Sequence, residues 1–167
     1  MNRLSVVLVL ALVAHTALAQ PSDTAVPVRK SRVLLVPAAM VNDTASAQYA
    51  QMKQQAAARR VLNTNPESLA RVRNIAARLI PHGTRFNRDT ASWKWEVNLI
   101  DAPMVNAFCM PGGKIMVFSG IINKLKLSDD ELAAIIGHEI AHALLEHGRA
   151  RMSEQVLKNV GVNLAAA

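Results

Sequence analysis

The sequence contains a single cysteine, Cys109, together with only seven glycines and seven prolines among 167 residues. One cysteine cannot form an intramolecular disulfide, which excludes a disulfide-rich scaffold even in an oxidising compartment. The low glycine and proline content excludes collagen-like and low-complexity proteins, and predicts one globular domain. Cys109 itself is predicted to be a small buried hydrophobic residue, with a reactive thiol as the less favoured alternative.

Long apolar segments are absent after the first 20 residues. Those residues contain the basic Arg3, an apolar core over 4–14 and an A-x-A cleavage site at 17–19, which predicts a signal peptide over residues 1–19. The core is too short to span a bilayer, and no cysteine follows the cleavage site to carry a lipid. We therefore expect a soluble protein exported through a cleaved signal peptide rather than an anchored one, with peripheral membrane association as the alternative.

The sequence also lacks a nucleic-acid-binding motif, although its net charge is +7. Removal of Arg3 with the signal peptide leaves 18 basic and 12 acidic residues, or +6, and the excess lies mainly between Arg59 and Lys94. The basic residues are scattered, so we expect a solvated surface, with an anionic membrane surface or acidic partners as the alternative. Nucleic acid is not an expected partner.

Local signals predict helices in the first half of the chain. Three prolines lie within residues 20–43, which are predicted to form an extended lead-in. An Ala- and Gln-rich stretch over 44–61 predicts a helix. Asn65 as an N-cap, followed by Pro66 at the first helical position, begins a second helix that Pro81-His82-Gly83 ends.

The middle of the chain changes to the period of a strand. Apolar and polar residues alternate over 94–101, which predicts a half-buried strand. Two further short apolar runs within 107–118 flank Pro111-Gly112-Gly113 and predict a hairpin. We expect residues 20–62 to form an N-terminal lead-in and helix, and residues 63–167 to form the N-terminal part of an α+β domain.

A capping box of Ser128 and Glu131 begins the most apolar helix of the sequence. The helix is predicted to run from Asp129 to His147, with Gly148 as a left-handed stop. Its apolar side chains extend almost all the way round the axis, which predicts a buried helix packed on the small sheet.

This helix contains two histidines and a glutamate in the sequence GHEIAHALLEH, residues 137–147. His138 and His142 lie about 40° apart around a helix and about 6 Å apart along it, so both imidazoles can reach one ion. Burial of unpaired polar groups is costly, and a bound Zn²⁺ would remove that cost. Glu139 can then take a proton from the water on zinc, which is the logic of zinc peptidases. The alternative is an ordinary buried helix whose histidines bond to backbone or carboxylates.

A catalytic zinc needs three protein ligands and one open position. Leu145 and Gly148 occupy the positions of the metzincin glycine and third histidine, which excludes that class. Glu146 lies about 9 Å along the axis from the midpoint of the histidine pair, and His147 is predicted to point to another face. The last nine residues contain no acid. We therefore expect the third ligand beyond Ala167 and a C-terminally truncated chain, with a natural short protein and an incomplete site as the alternative.

Three groups of residues together form a recognisable pattern. The first is Asn106-Ala107-Phe108 with Pro111-Gly112-Gly113, and the second is the helix start at 128–131. The third is His138-Glu139-Ile140-Ala141-His142 followed by Glu146-His147-Gly148. With them, the run from Asn98 to Arg151 closely resembles the HtpX-type and BepA-type zinc metallopeptidases, a family that also includes the CAAX prenyl endopeptidases. The resemblance implies a zincin-like domain that binds one Zn²⁺ per subunit.

In this resemblance His138 and His142 are the zinc ligands and Glu139 is the catalytic acid/base. The family's third ligand, a glutamate on a later helix, has no counterpart here. The resemblance implies a periplasmic zinc metalloendopeptidase that degrades misfolded or unfolded envelope proteins, with outer-membrane or envelope assembly partners as candidates. The competing hypotheses are a non-catalytic chaperone-like or binding module with an incomplete zinc site, and an exopeptidase with a similar helix motif.

The predicted hairpin suggests how a peptide substrate is held. A strand beside the active-site helix can pair with an extended substrate backbone, which gives affinity without strong side-chain selectivity. Packing of Ile115, Val117 and Phe118 in the core is a compatible explanation for the same residues.

Overall fold

A computed structural model of the chain describes residues 34–165. Their helices and strands are α1 (Ala38–Ala58), α2 (Pro66–Leu79), β1 (Glu96–Ile100), β2 (Ala107–Met110), β3 (Lys114–Phe118), α3 (Ser119–Leu125), α4 (Asp129–Leu144) and α5 (His147–Ala165). Two 3₁₀ turns, Ile80–Arg85 and Arg88–Ser92, join α2 to β1. The predicted signal peptide and residues 20–33 of the lead-in lie outside the described residues.

The three strands form one mixed sheet in the order β1-β3-β2. β1 runs parallel to β3, and β2 runs antiparallel to it, which confirms the hairpin. Gly112 and Gly113 turn the hairpin with φ of +77° and +80°, values that favour glycine. A Cβ on Gly113 would also lie 2.7 Å from the ring of Trp95, so the turn requires glycine there for space as well.

The sheet separates two apolar clusters. α2 and α4 cover one face, where the buried side chains are Val72, Ile75, Leu99, Ile115, Val117, Leu132, Ile136 and Ile140. α1 covers the other face, where Tyr49, Ala56, Ile100 and Met116 are buried. This arrangement confirms an α+β architecture with the predicted active-site helix packed against a small sheet.

Polar contacts fix α1 on the sheet. The hydroxyl of Tyr49 donates to the carbonyl of Ile115 at 2.5 Å and accepts from the Asn98 amide at 3.1 Å. Lys53 pairs with Glu96 at 2.5 Å, with both side chains partly exposed. α1 therefore depends on tertiary contacts for its position, as most protein helices do.

The segment before α1 is attached to α5. The Ser153 hydroxyl oxygen accepts hydrogen bonds from the amides of Leu35 and Val36 at 2.9 and 3.2 Å. Arg149 Nε donates to the Val36 carbonyl at 2.6 Å. We call residues 34–37 the N-terminal arm. Among the described residues, no helix is long and apolar enough to cross a membrane.

Local signals located the starts of α2 and α4 correctly. The Asn65 side chain accepts from the Ser68 amide at 2.9 Å, and the predicted capping box of Ser128 and Glu131 is present. The predicted start of α1 was wrong, because the helix begins at Ala38 rather than at residue 44.

The predicted end of the active-site helix was also wrong. α4 ends at Leu144, and Gly148 lies inside α5 instead of stopping the helix. The left-handed residue is Glu146, with φ of +55°. Its amide donates to the Ala143 carbonyl at 3.0 Å, and its carboxylate pairs with Arg149 at 2.8 Å, so hydrogen bonding and an ion pair hold a conformation that glycine more often adopts.

Candidate metal centre

α4 presents the two predicted ligands on one side and packs its other side into the core. The capping box fixes the start of the helix: the Ser128 amide donates to the Glu131 carboxylate at 2.8 Å. Leu132, Ile136 and Ile140 are buried on the face toward α2 and the sheet. This packing sets the rotation of α4, and with it the direction of the histidine face.

His138 and His142 lie close enough to share an ion. Their Nε2 atoms are 3.0 Å apart, and their rings are nearly perpendicular, at 87°. Two nitrogens bound tetrahedrally to zinc at 2.0–2.1 Å would be about 3.3 Å apart. A small outward movement of the rings is therefore enough for both to ligate one zinc ion.

The predicted burial of this helix on all sides was wrong. Ala134, His138 and His142 are exposed and form one open face of α4 within the described part of the chain. Alanines contribute to an apolar pattern but do not require burial, so the pattern overstated the buried surface. Because both imidazoles are exposed, they carry no cost of burial that a bound ion would have to remove.

Glu139 is half-buried beside a cavity of about 280 Å³ that reaches His142. Cys109, on β2, lines the same cavity and is half-buried rather than fully buried. Burial, and to a smaller extent the charge of Glu139, raises the pKa of the Cys109 thiol to about 12. A thiol held neutral in this way is a poor nucleophile, as predicted.

The ring of His147 lies against the ring of His142. The prediction that His147 points to another face was wrong, because it assumed that α4 continued as a straight helix. The break at Leu145 and Glu146 turns the chain, and the Nδ1 atoms of His142 and His147 are 2.6 Å apart. Their ring centroids are 4.9 Å apart.

The N-terminal region contributes one wall of the cavity beside Glu139. Ala38, Val41 and Asn42, all in α1, line it. The sequence analysis assigned these residues to an extended lead-in without a function. Their small and uncharged side chains carry no motif, so only the packing of α1 reveals the contribution.

No third ligand joins the histidine pair among the described residues. Within residues 34–165, no group of three or more His, Cys, Asp or Glu side chains is arranged to hold a metal ion. Glu146 lines the cavity, but its carboxylate is paired with Arg149. Within the described residues, the histidine pair is therefore one ligand short of the three that a catalytic zinc requires.

A helix that carries His-Glu-x-x-His, packed beside a strand at the edge of a sheet, is the arrangement expected of a metallopeptidase. The sequence pattern of peptidase family M48 matches residues 66–167, so the chain belongs to this family. The resemblance to the HtpX-type and BepA-type peptidases is therefore confirmed. α1 lies before the matched residues.

Three metallopeptidases are similar to parts of this chain. The mitochondrial metalloendopeptidase OMA1 of Arabidopsis thaliana is 48% identical over 66 residues, which are 40% of this chain and 13% of that protein. The metalloprotease LoiP of Escherichia coli is 35% identical over 103 residues, or 62% of this chain and 37% of LoiP. The human metalloendopeptidase OMA1 is 42% identical over 53 residues, 32% of this chain and 10% of that protein.

The chain thus spans between about a tenth and two fifths of the length of these relatives. No solved structure matches the chain.

Proposed function

We propose that the protein is a zinc-dependent metalloendopeptidase. The observation that carries the proposal is the convergence of His138 and His142, with Nε2 atoms 3.0 Å apart, one residue from Glu139 on a single helix. Membership of peptidase family M48 supports the same activity. The third ligand must come from outside the described residues.

In this proposal the two imidazoles hold zinc through Nε2, and Glu139 moves the proton. Zinc supplies a Lewis acid that polarises the scissile carbonyl and lowers the pKa of a water molecule. Glu139 removes a proton from the attacking water and returns it to the nitrogen of the departing amine. Its position on the cavity wall beside His142 gives the carboxylate access to both steps.

The edge of β2 is proposed to hold the substrate backbone. The Phe118 amide donates to the Asn106 carbonyl at 3.1 Å, so these two residues form a hydrogen-bonded pair. Hydrogen-bonded and non-hydrogen-bonded residue pairs alternate along an antiparallel ladder. Ala107 and Cys109 therefore direct their backbone N–H and C=O groups away from β3. Among the described residues, no backbone hydrogen bond joins these groups to another segment. An extended peptide can pair with them along α4.

The proposed substrates are unfolded or misfolded envelope proteins, and the proposed compartment is the periplasm. Recognition of peptide backbone at the β2 edge favours extended chains of varied sequence. The signal peptide predicted over residues 1–19 supports export, and LoiP of Escherichia coli is named a metalloprotease. Envelope assembly partners are proposed on the resemblance alone.

The substitution Glu139→Gln, made in the protein as its gene encodes it, tests the assignment of Glu139 as the catalytic acid/base. Cleavage of unfolded casein should fall by at least about 100-fold, the usual contribution of a general base, while bound zinc is unchanged. Glu154→Gln, an exposed glutamate on α5, is the matched control and should retain full activity. Retained cleavage by Glu139→Gln would refute the assignment.

A non-catalytic binding module is the competing function. In that case the protein should slow the aggregation of an unfolded client equally well with and without Glu139→Gln, and it should cleave nothing. An exopeptidase is distinguished by peptides with blocked ends, which only an endopeptidase cleaves.

A further inference from the structure

We propose that His147 is a positioning residue for the metal ligand His142. In the proposal, His147 Nδ1 accepts the hydrogen carried by His142 Nδ1, and this fixes His142 with an unprotonated Nε2 before the ion binds. The inference rests on the proposed function, because it assigns His142 Nε2 to the metal.

The hydrogen-bond direction follows from the chemistry of imidazole. A neutral histidine carries one ring hydrogen, and the nitrogen that binds a metal must carry none. If Nε2 of His142 binds the ion, its hydrogen is on Nδ1. That Nδ1 lies 2.6 Å from Nδ1 of His147, where two N–H groups cannot face each other, so the His147 nitrogen is the acceptor. Histidine ligands usually donate their second nitrogen to such a partner.

The backbone break is what brings His147 to this position. In a continuous helix, His147 would lie about 140° around the axis from His142, out of reach. The left-handed Glu146, with φ of +55°, ends α4 and redirects the chain. A non-glycine residue is strained in this conformation.

Contacts on the far side of the break hold this strained residue in place. Arg149 binds the Glu146 carboxylate at 2.8 Å and the Val36 carbonyl at 2.6 Å. The contact between the two histidine rings therefore depends on a backbone break that these two bonds hold in place.

Nuclear magnetic resonance of the metal-free chain gives a direct test. Long-range ¹H–¹⁵N correlations should show His142 with its hydrogen on Nδ1 and His147 with its hydrogen on Nε2. In His147→Phe, the His142 hydrogen should no longer be held on Nδ1. His82→Phe changes an exposed histidine and is the matched control. A wild-type His142 with its hydrogen on Nε2 would overturn the inference.

Zinc affinity, measured by competition with a chelator, supplies the second test. His147→Phe should weaken binding by about 10–100-fold, the usual effect of removing such a partner. His147→Asn keeps an acceptor near the position of Nδ1 and should restore most of the affinity. Equal affinity in the wild type and His147→Phe would overturn the inference and leave the proposed function standing. Both affinities are measured in the protein as its gene encodes it, and a wild-type protein of that length that binds no zinc would instead overturn the proposed function.

Discussion

Ser153→Ala should release the N-terminal arm from α5. Ser153 is fully buried, and its hydroxyl oxygen accepts the amide hydrogens of Leu35 and Val36 at 2.9 and 3.2 Å. Its own hydrogen goes to the Arg149 carbonyl at 2.9 Å. Alanine fits the same space but leaves both amides without this acceptor, so the substitution removes hydrogen bonds with little change in packing.

The expected loss is about 2 kcal/mol in the free energy of unfolding. Two amide hydrogen bonds to Ser153 contribute about 1 kcal/mol each, and an unpaired N–H on the buried Val36 costs about 1–3 kcal/mol. Alanine returns about 0.5 kcal/mol through its higher helix propensity. The arm can also move to expose its amides to water, which keeps the net loss near the lower end of this sum.

Two measurements check the prediction. Denaturant unfolding should show the loss of stability, and the amides of Leu35 and Val36 should exchange with solvent about 30-fold faster, which corresponds to about 2 kcal/mol. Gln155→Ala, an exposed neighbour on α5, is the matched control and should change neither quantity. A change below about 0.5 kcal/mol with unaltered exchange would refute the assigned role of the hydroxyl.

Three further predictions concern other parts of the fold. Gly120→Ala should destabilise the protein by about 2 kcal/mol or more in thermal unfolding, because the alanine Cβ would lie 2.6 Å from the carbonyl oxygen of Pro103. A neutral effect would contradict this close approach. Cys109 should react with iodoacetamide at pH 8 about 1000-fold more slowly than a free thiol, since a pKa of about 12 leaves few thiolates; a rate near that of glutathione would be inconsistent with it. Hydrogen bonds from Ser128 hold the pKa of Glu131 below its ordinary value of 4.5, so this carboxylate stabilises α4 above that pH and loses its effect as the pH falls. Ser128→Ala should therefore lower stability by about 1 kcal/mol at pH 7 and by less near pH 2, and an equal loss at both would count against the capping box.

Sequence predicted those elements whose boundaries are set by local chemistry. Asn65 and Ser128 cap their helices through bonds to residues three positions away, and Pro111-Gly112-Gly113 sets the hairpin through its own backbone conformation. The glycines at this turn need no distant partner to adopt a positive φ. These signals were therefore visible before any packing was known.

Boundaries set by distant contacts were not predictable in this way. α1 begins six residues earlier than predicted, directly after Pro37, and the arm before it is attached to Ser153, more than a hundred residues away. The break after α4 occurs at Glu146, although Gly148 is the residue that local rules select. Local preferences place glycine at such a position, and tertiary contacts overrode them here. The position of His147 could not be found without that break.

Direct contacts join the N-terminal arm to the candidate metal centre. Val36 binds Arg149, Arg149 binds Glu146, and the left-handed Glu146 places His147 against His142. The same end of the chain supplies α1 residues to the cavity beside Glu139, yet α1 lies outside the region matched by peptidase family M48. Residues before the family domain therefore shape its candidate site on two sides. A version of the protein that begins at residue 66 would keep the His-Glu-x-x-His motif. It would lose one wall of the cavity and the support of the backbone break.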